Sequence, residues 1–191
     1  SKWCVGIFGN GATLYKWKQQ NHSMCPRCKD EHEDGIHCVI CPCPLATALW
    51  SKLMDELLIW MIKSKGQVTI SNLICSSLTA WRNNLPHDYQ ATGWSTDLMD
   101  LINDQLRLGW DRILYGVWAA SWETIQQQHF ENIGSKKSVT VWFSLLQQKL
   151  WMITFHLWEH RNTVLHTNLH SIHPSEIVAI NNEITQEVQV G

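Results

Sequence analysis

Residues 25–61 read CPRCKDEHEDGIHCVICPCPLATALWSKLMDELLIWM, and two patterns meet inside them. The first is C-x2-C, eight residues, then H-x3-C, formed by Cys25, Cys28, His37 and Cys41. A tight turn over the first pair lets backbone amides point at both thiolates. The second pair is spaced for one turn of helix, so His37 and Cys41 share a face. Three thiolates and an imidazole complete a tetrahedral zinc shell with no position left for water, so the expectation is one structural Zn2+ that folds its segment and performs no catalysis. Cys38, Cys43, His22 and His32 are the rival ligands, Cys38 and Cys43 being poorly placed to share a face with His37. A set of free thiols is the alternative.

The second pattern starts at Pro44, which suits a first helical position. Leu45, Leu49, Leu53, Leu57 and Met61 follow at spacing four, and Lys63-Ser64-Lys65-Gly66 ends the helix. A second helix is predicted from about Thr69 to Asn84, closed by Pro86, with Ile70, Leu73, Ile74, Leu78 and Trp81 on one face. Residues 86–95 read as a loop. Ser95 or Thr96 caps a third helix carrying Leu98, Leu101, Ile102 and Leu106, which Gly109 stops or kinks. A fourth, from Asp111, aims Ile113, Leu114, Val117, Trp118, Trp122 and Ile125 at the core. The fifth is the clearest: Val139, Phe143, Leu146, Leu150, Ile153, Leu157, His160 and Val164 alternate spacings of four and three. A neighbouring seam with Trp151, Phe155 and Trp158 widens its apolar face. A last helix is predicted from Pro174, with Ile177, Ile180, Ile184 and Val188 in phase. The expected fold is mainly α: a small zinc-stabilised module over 1–43 packed on a Trp-rich bundle of five or six helices over 44–191.

Toward the N-terminus the chain is a loop-rich opening with one short helical turn. Residues 1–29 hold Lys2, Lys16, Lys18, Arg27 and Lys29 and no acid, a local charge of +5. With Trp3 and Trp17 interleaved, cations can neutralise phosphates while indoles stack on unpaired bases, so Lys2, Trp3, Lys16, Trp17, Lys18, Arg27 and Lys29 form the candidate surface for RNA or DNA.

The bulk numbers bound the rest. The 191 residues are 45% hydrophobic and 17% charged, a globular composition, and the net charge of −2 gives the whole chain no nucleic-acid signature. Seven cysteines, five of them between 25 and 43, are a metal-site distribution, so a reducing compartment, cytoplasm or nucleus, is expected. The longest apolar run, Leu57 to Ile62, is far short of the ~20 residues of a membrane span, and nothing marks secretion. The pattern still amphipathic at Val190-Gly191 reads as part of something longer.

The cysteine-histidine segment, Trp50, Ala80-Trp81-Arg82 and the late Trp158-x2-Arg161-Asn162-x2-Leu165-His166 resemble the zinc-binding region found C-terminal to the polymerase in non-LTR retrotransposon reverse transcriptases and their uncharacterised relatives. The resemblance implies Cys25, Cys28, His37 and Cys41 as ligands and an association with retroelement nucleic acid. It does not bring in the polymerase, which needs clustered metal-binding aspartates, and this chain has no adjacent pair. The expected role is a non-catalytic accessory module. Its alternative is a helical scaffold that binds a protein partner or self-associates.

Two motifs are set aside. Gly6-x4-Gly11-Ala12-Thr13 resembles a phosphate-binding loop but has Ala12 where lysine must stand. His156-Leu157-Trp158-Glu159-His160 fits the H-x-x-E-H of zinc hydrolases. That chemistry needs a third ligand and a cleft, while His160 reads as a core histidine. Arg161 reads as a bundle ion-pair or capping residue.

Overall fold

A computed structural model describes residues 9–86, 89 and 95–169. Among them are seven α-helices and no strand: α1 (Gly11–Lys16), α2 (His37–Ile40), α3 (Pro44–Lys63), α4 (Val68–Arg82), α5 (Thr96–Leu108), α6 (Ser121–Asn132) and α7 (Val139–Leu169), with a 3-10 turn at Asp111–Tyr115. The chain is mainly helical, as expected, and no described helix is long and apolar enough to cross a membrane. Lys2, Trp3 and the helix expected from Pro174 lie outside the described residues.

Pro44 does open α3, but its buried phase is Ala46, Trp50, Leu53, Met54, Leu57 and Met61, so Leu45 is left 65% exposed. Helix α4 buries Ile70, Leu73, Ile74 and Leu78 and ends at Arg82, ahead of Asn84 in the left-handed region at φ 51. Helix α5 stops at Gly109, φ 98.

The predicted fourth helix is two elements. The 3-10 turn ends at Gly116, φ 87, a conformation open to glycine, and α6 begins only at Ser121. Val117, expected to face the core, is 43% exposed. A buried glutamine fixes the break. Gln105 Oε1 accepts from Ala119 N at 3.0 Å and Trp122 Nε1 at 2.9 Å, and its amide donates to Gly109 O. These bonds supply partners for backbone groups that an uninterrupted helix would have bonded internally.

Helix α7 spans 31 residues, about 46 Å. Phe143, Leu146, Leu150, Ile153 and Leu157 are buried as its seam predicts, and Trp142 beside them is buried too. Past Leu157 the phase moves by one: Arg161 is fully buried and His160 only partly. Of the second seam Trp151 and Trp158 are half-buried, whereas Phe155 faces solvent. The indoles form a connected aromatic core, with Trp122 edge-on to both Trp110 and Trp118, and Trp142 edge-on to Phe130 and stacked on Trp60.

Helices α3 and α7 run antiparallel. Leu53 and Leu57 share a cavity of about 170 Å³ with Ile153 and His156, while Ser64, further along α3, shares one of about 440 Å³ with Ser138 and Leu145, further back on α7.

Candidate metal centre

The segment around the first cysteine pair folds back on itself. Glu33 N donates to Ser23 O at 2.7 Å and Cys25 N to Glu31 O at 2.8 Å, with an isolated antiparallel bridge between Met24 and His32. Lys29 N returns to Cys25 O at 2.9 Å, with Lys29 in the left-handed conformation at φ 64. The amides of Arg27 and Cys28 donate to the Cys25 sulfur. The second pair is set by α2. Asp34 Oδ1 accepts from His37 N at 2.7 Å, capping the turn, and Cys41 N donates to His37 O at 2.9 Å.

These two pieces bring Cys25, Cys28, His37 and Cys41 together, with their ligand atoms all within 4.8 Å of one another. Cys25 Sγ lies 3.8 Å from Cys41 Sγ, well beyond a disulfide bond of about 2.05 Å, and His37 Nε2 lies 3.4 Å from Cys28 Sγ. Glu31 Oε2 sits 3.0 Å from His37 Nδ1. That contact places the Nδ1 proton on the carboxylate side and turns the Nε2 lone pair toward the sulfurs. The group can hold a metal ion. The rivals stand elsewhere: Cys38 donates toward Glu33 Oε1, and exposed His32 bonds Ser23 Oγ.

Hydrogen bonds within the group shift the protons of Cys25, Cys41 and His37. The hydrogen bond from Cys41 holds the Cys25 thiol far below its usual range. Cys41 is pushed up by the same bond and by burial. His37 rises to about 9, chiefly through its hydrogen bond to the Cys25 sulfur, against the lowering effect of burial.

Three buried arginines tie the centre to the helices. Arg82 of α4 donates to Val39 O at 2.9 Å and Cys41 O at 2.8 Å, taking up carbonyls that the end of α2 leaves open, and lies 5.5 Å over the Trp50 ring. Arg27 donates to Cys38 O at 2.8 Å and to Leu157 O of α7 at 3.4 Å. Arg161 of α7 grips Glu33 through Nη2 at 2.6 Å and Nε at 2.8 Å, with both side chains fully buried. The same Glu33 oxygen accepts from Gly11 N at 2.7 Å, joining α1 to the network.

The candidate nucleic-acid residues divide. Lys16, Trp17, Lys18 and Lys29 are exposed. Arg27 is not: it is 8% exposed and spends its guanidinium on carbonyls inside the protein, so it leaves that set. Gly11, half of the loop-like glycine pair, serves packing, since a Cβ there would meet Ser23 O at 2.5 Å. In the H-x-x-E-H stretch His156 Nδ1 pairs with Glu159 at 3.4 Å near the surface. Among the described residues no group of three or more potential ligands includes His156 or His160. Glu31, Glu33 and Arg82 are working parts of the centre that motif spacing does not reveal: Glu31 is one exposed acid among several until His37 is seen beside it, and the partners of Glu33 and Arg82 are far away in the chain.

Fold and site together define a helical protein with a buried three-cysteine, one-histidine group able to hold a metal ion. No protein family, curated protein or solved structure matches the chain.

Proposed function

We propose that the group binds one zinc ion as a closed structural centre, and that the chain is a non-catalytic accessory module of a retroelement-derived, reverse-transcriptase-like protein that contacts nucleic acid beside α1. The observation that carries the metal reading is a pair of distances. Zinc bonds of about 2.3 Å to sulfur and 2.0–2.1 Å to nitrogen, set tetrahedrally, put two sulfurs about 3.8 Å apart and sulfur and nitrogen about 3.5 Å apart. The separations of 3.8 and 3.4 Å in this centre lie at those edges. Thiolate ligands favour zinc over hard cations such as magnesium or calcium. With four protein ligands no coordination position is left for a reacting water.

The retroelement reading is supported by the sequence resemblance alone. The nucleic-acid reading is supported by Tyr15 and Trp17, 55% and 50% exposed, alternating with Lys16 and Lys18 at the end of α1. Elemental analysis and single-strand binding test the two parts separately. Wild type is expected to carry one zinc per chain and Cys28→Ser none. RNA or DNA oligonucleotides are expected to bind at ~50 mM salt, where phosphate contacts are strongest, and to be released by Lys16→Glu with Lys18→Glu while zinc stays. A zinc-free wild type refutes the centre, and binding indifferent to the two glutamates refutes the interface.

A further inference from the structure

Helix α7 packs against α3, α2, α6 and the 3-10 turn and buries Phe143, Leu146, Leu150, Ile153 and Leu157. Its other side is not the polar face that such a helix ordinarily turns to water. Val141, Leu145, Met152 and Phe155 stand there 57%, 44%, 49% and 46% exposed, about half a turn round from the buried seam. With exposed Gln148 between them they recur at spacings of four, three, four and three. That is the repeat by which one helix packs along another.

We propose that this row seats the same row of a second copy of the chain, the two α7 helices running antiparallel about a two-fold axis at Gln148. The proposal is independent of the zinc and nucleic-acid readings. Self-complementarity carries it. In an antiparallel pair, residues equally far on either side of Gln148 face one another, so Val141 meets the partner's Phe155 and Leu145 meets the partner's Met152. Every apolar side chain of the row then has an apolar neighbour. The two Gln148 amides meet on the axis, where each can donate to the other's oxygen, and a polar residue inside an apolar seam fixes its register.

Charge selects the direction. Exposed Lys136 and Lys137 stand just ahead of α7, and exposed Glu159 lies one step of four beyond Phe155 at the other end of the row. Lys137 donates one of its three protons to Ser64 O at 2.9 Å, which leaves two. An antiparallel pair sets Glu159 of each copy against the partner's Lys136 and Lys137, at both ends. A parallel pair would set glutamate against glutamate and lysine against lysine, which is repulsive. The same patch serves both copies, so the contact closes at two. Joining the rows with their polar flanks removes on the order of 1,000 Å² from water, the small end for a specific interface. Both helices are folded beforehand, so a dissociation constant of about 1–100 µM is expected.

The test is sedimentation equilibrium of the full chain in reducing buffer, across that concentration range. The mass is expected to rise from that of one chain toward twice that value. Leu145→Asp places a charge in the seam and is expected to weaken association at least about tenfold, with unchanged circular dichroism because the position is exposed. Carbodiimide cross-linking of wild type reads the direction without a substitution. Within one chain the length of α7 holds Lys137 and Glu159 about 30 Å apart, so a zero-length link from Glu159 to Lys136 or Lys137 joins two copies. That link is expected in the dimer. A mass that stays at one chain overturns the proposal and leaves the row to an unlike partner. So does a dimer indifferent to Leu145→Asp, or one without the Glu159 link in a sample that yields the link between Lys52 and Glu56, 3.9 Å apart.

Discussion

Replacing Arg161 with methionine tests the link between the metal centre and the bundle. The substitution keeps a long side chain and removes the charge, leaving the Glu33 carboxylate at 0% exposure with only Gly11 N and the Cys38 thiol as partners. Breaking a buried pair by removing one member costs about 3–5 kcal/mol, since the remaining charge is stranded without water or counter-ion. Against a domain stability of about 5–15 kcal/mol that is a large share. Glu33→Gln is expected to cost a similar amount, stranding Arg161 with Asn162 Oδ1 at 3.1 Å. The double variant buries no net charge and is expected to recover at least about 2 kcal/mol of the summed loss, the signature of direct coupling. Urea unfolding followed by circular dichroism, on samples of equal metal content, measures all three. A cost below about 1 kcal/mol for Arg161→Met, or a double variant equal to the sum of the singles, refutes the buried pair as the clasp.

Metal affinity is expected to rise steeply with pH. In the metal-free protein His37 titrates at about 9 and Cys41 above the usual thiol range, so at neutral pH a metal must displace at least these two protons, which makes affinity rise by at least about a hundredfold per pH unit. Competition with a chromophoric chelator between pH 6.5 and 8.5 reads the slope, and less than tenfold per unit contradicts it. In that metal-free state the raised His37 contributes stability that is full below its unfolded value of 6.5 and lost as pH rises through about 9. Gly11→Ala is expected to destabilise by about 1–3 kcal/mol, because a Cβ 2.5 Å from the backbone oxygen of Ser23 forces α1 off the turn below it. Alanine is otherwise the better helix former, so a thermal melt showing stabilisation counts against that packing.

Much of the helical framework was legible because it repeats. The α7 seam from Phe143 to Leu157 and the start of α3 at Pro44 follow from spacing alone. The Cys/His set was legible for the same local reason: each pair is joined by a turn whose geometry its own spacing dictates. What was not legible depended on partners far away in sequence. The fourth helix breaks because Gln105, on another helix, bonds Ala119 N and Trp122 Nε1. Leu45 sits one position off the buried phase, which Ala46 and Trp50 set. Arg27 looked like part of a basic surface, since a cation in a lysine-rich stretch reads as solvated until Cys38 O and Leu157 O are seen to receive it. Arg161 was legible as an ion-pairing residue, but nothing in its neighbourhood names Glu33.

Glu33 and Arg161 are 128 residues apart, and that separation sets an order of events during synthesis. The cysteine-rich segment leaves the ribosome first and holds all four ligands once Cys41 is out. Its anionic anchor must wait, hydrated, until α7 follows. At 5–20 residues per second the wait is about 6–26 s. If the group takes up a metal ion, capture can precede docking, and the long loop would then close onto a segment already shaped instead of between two unfolded stretches.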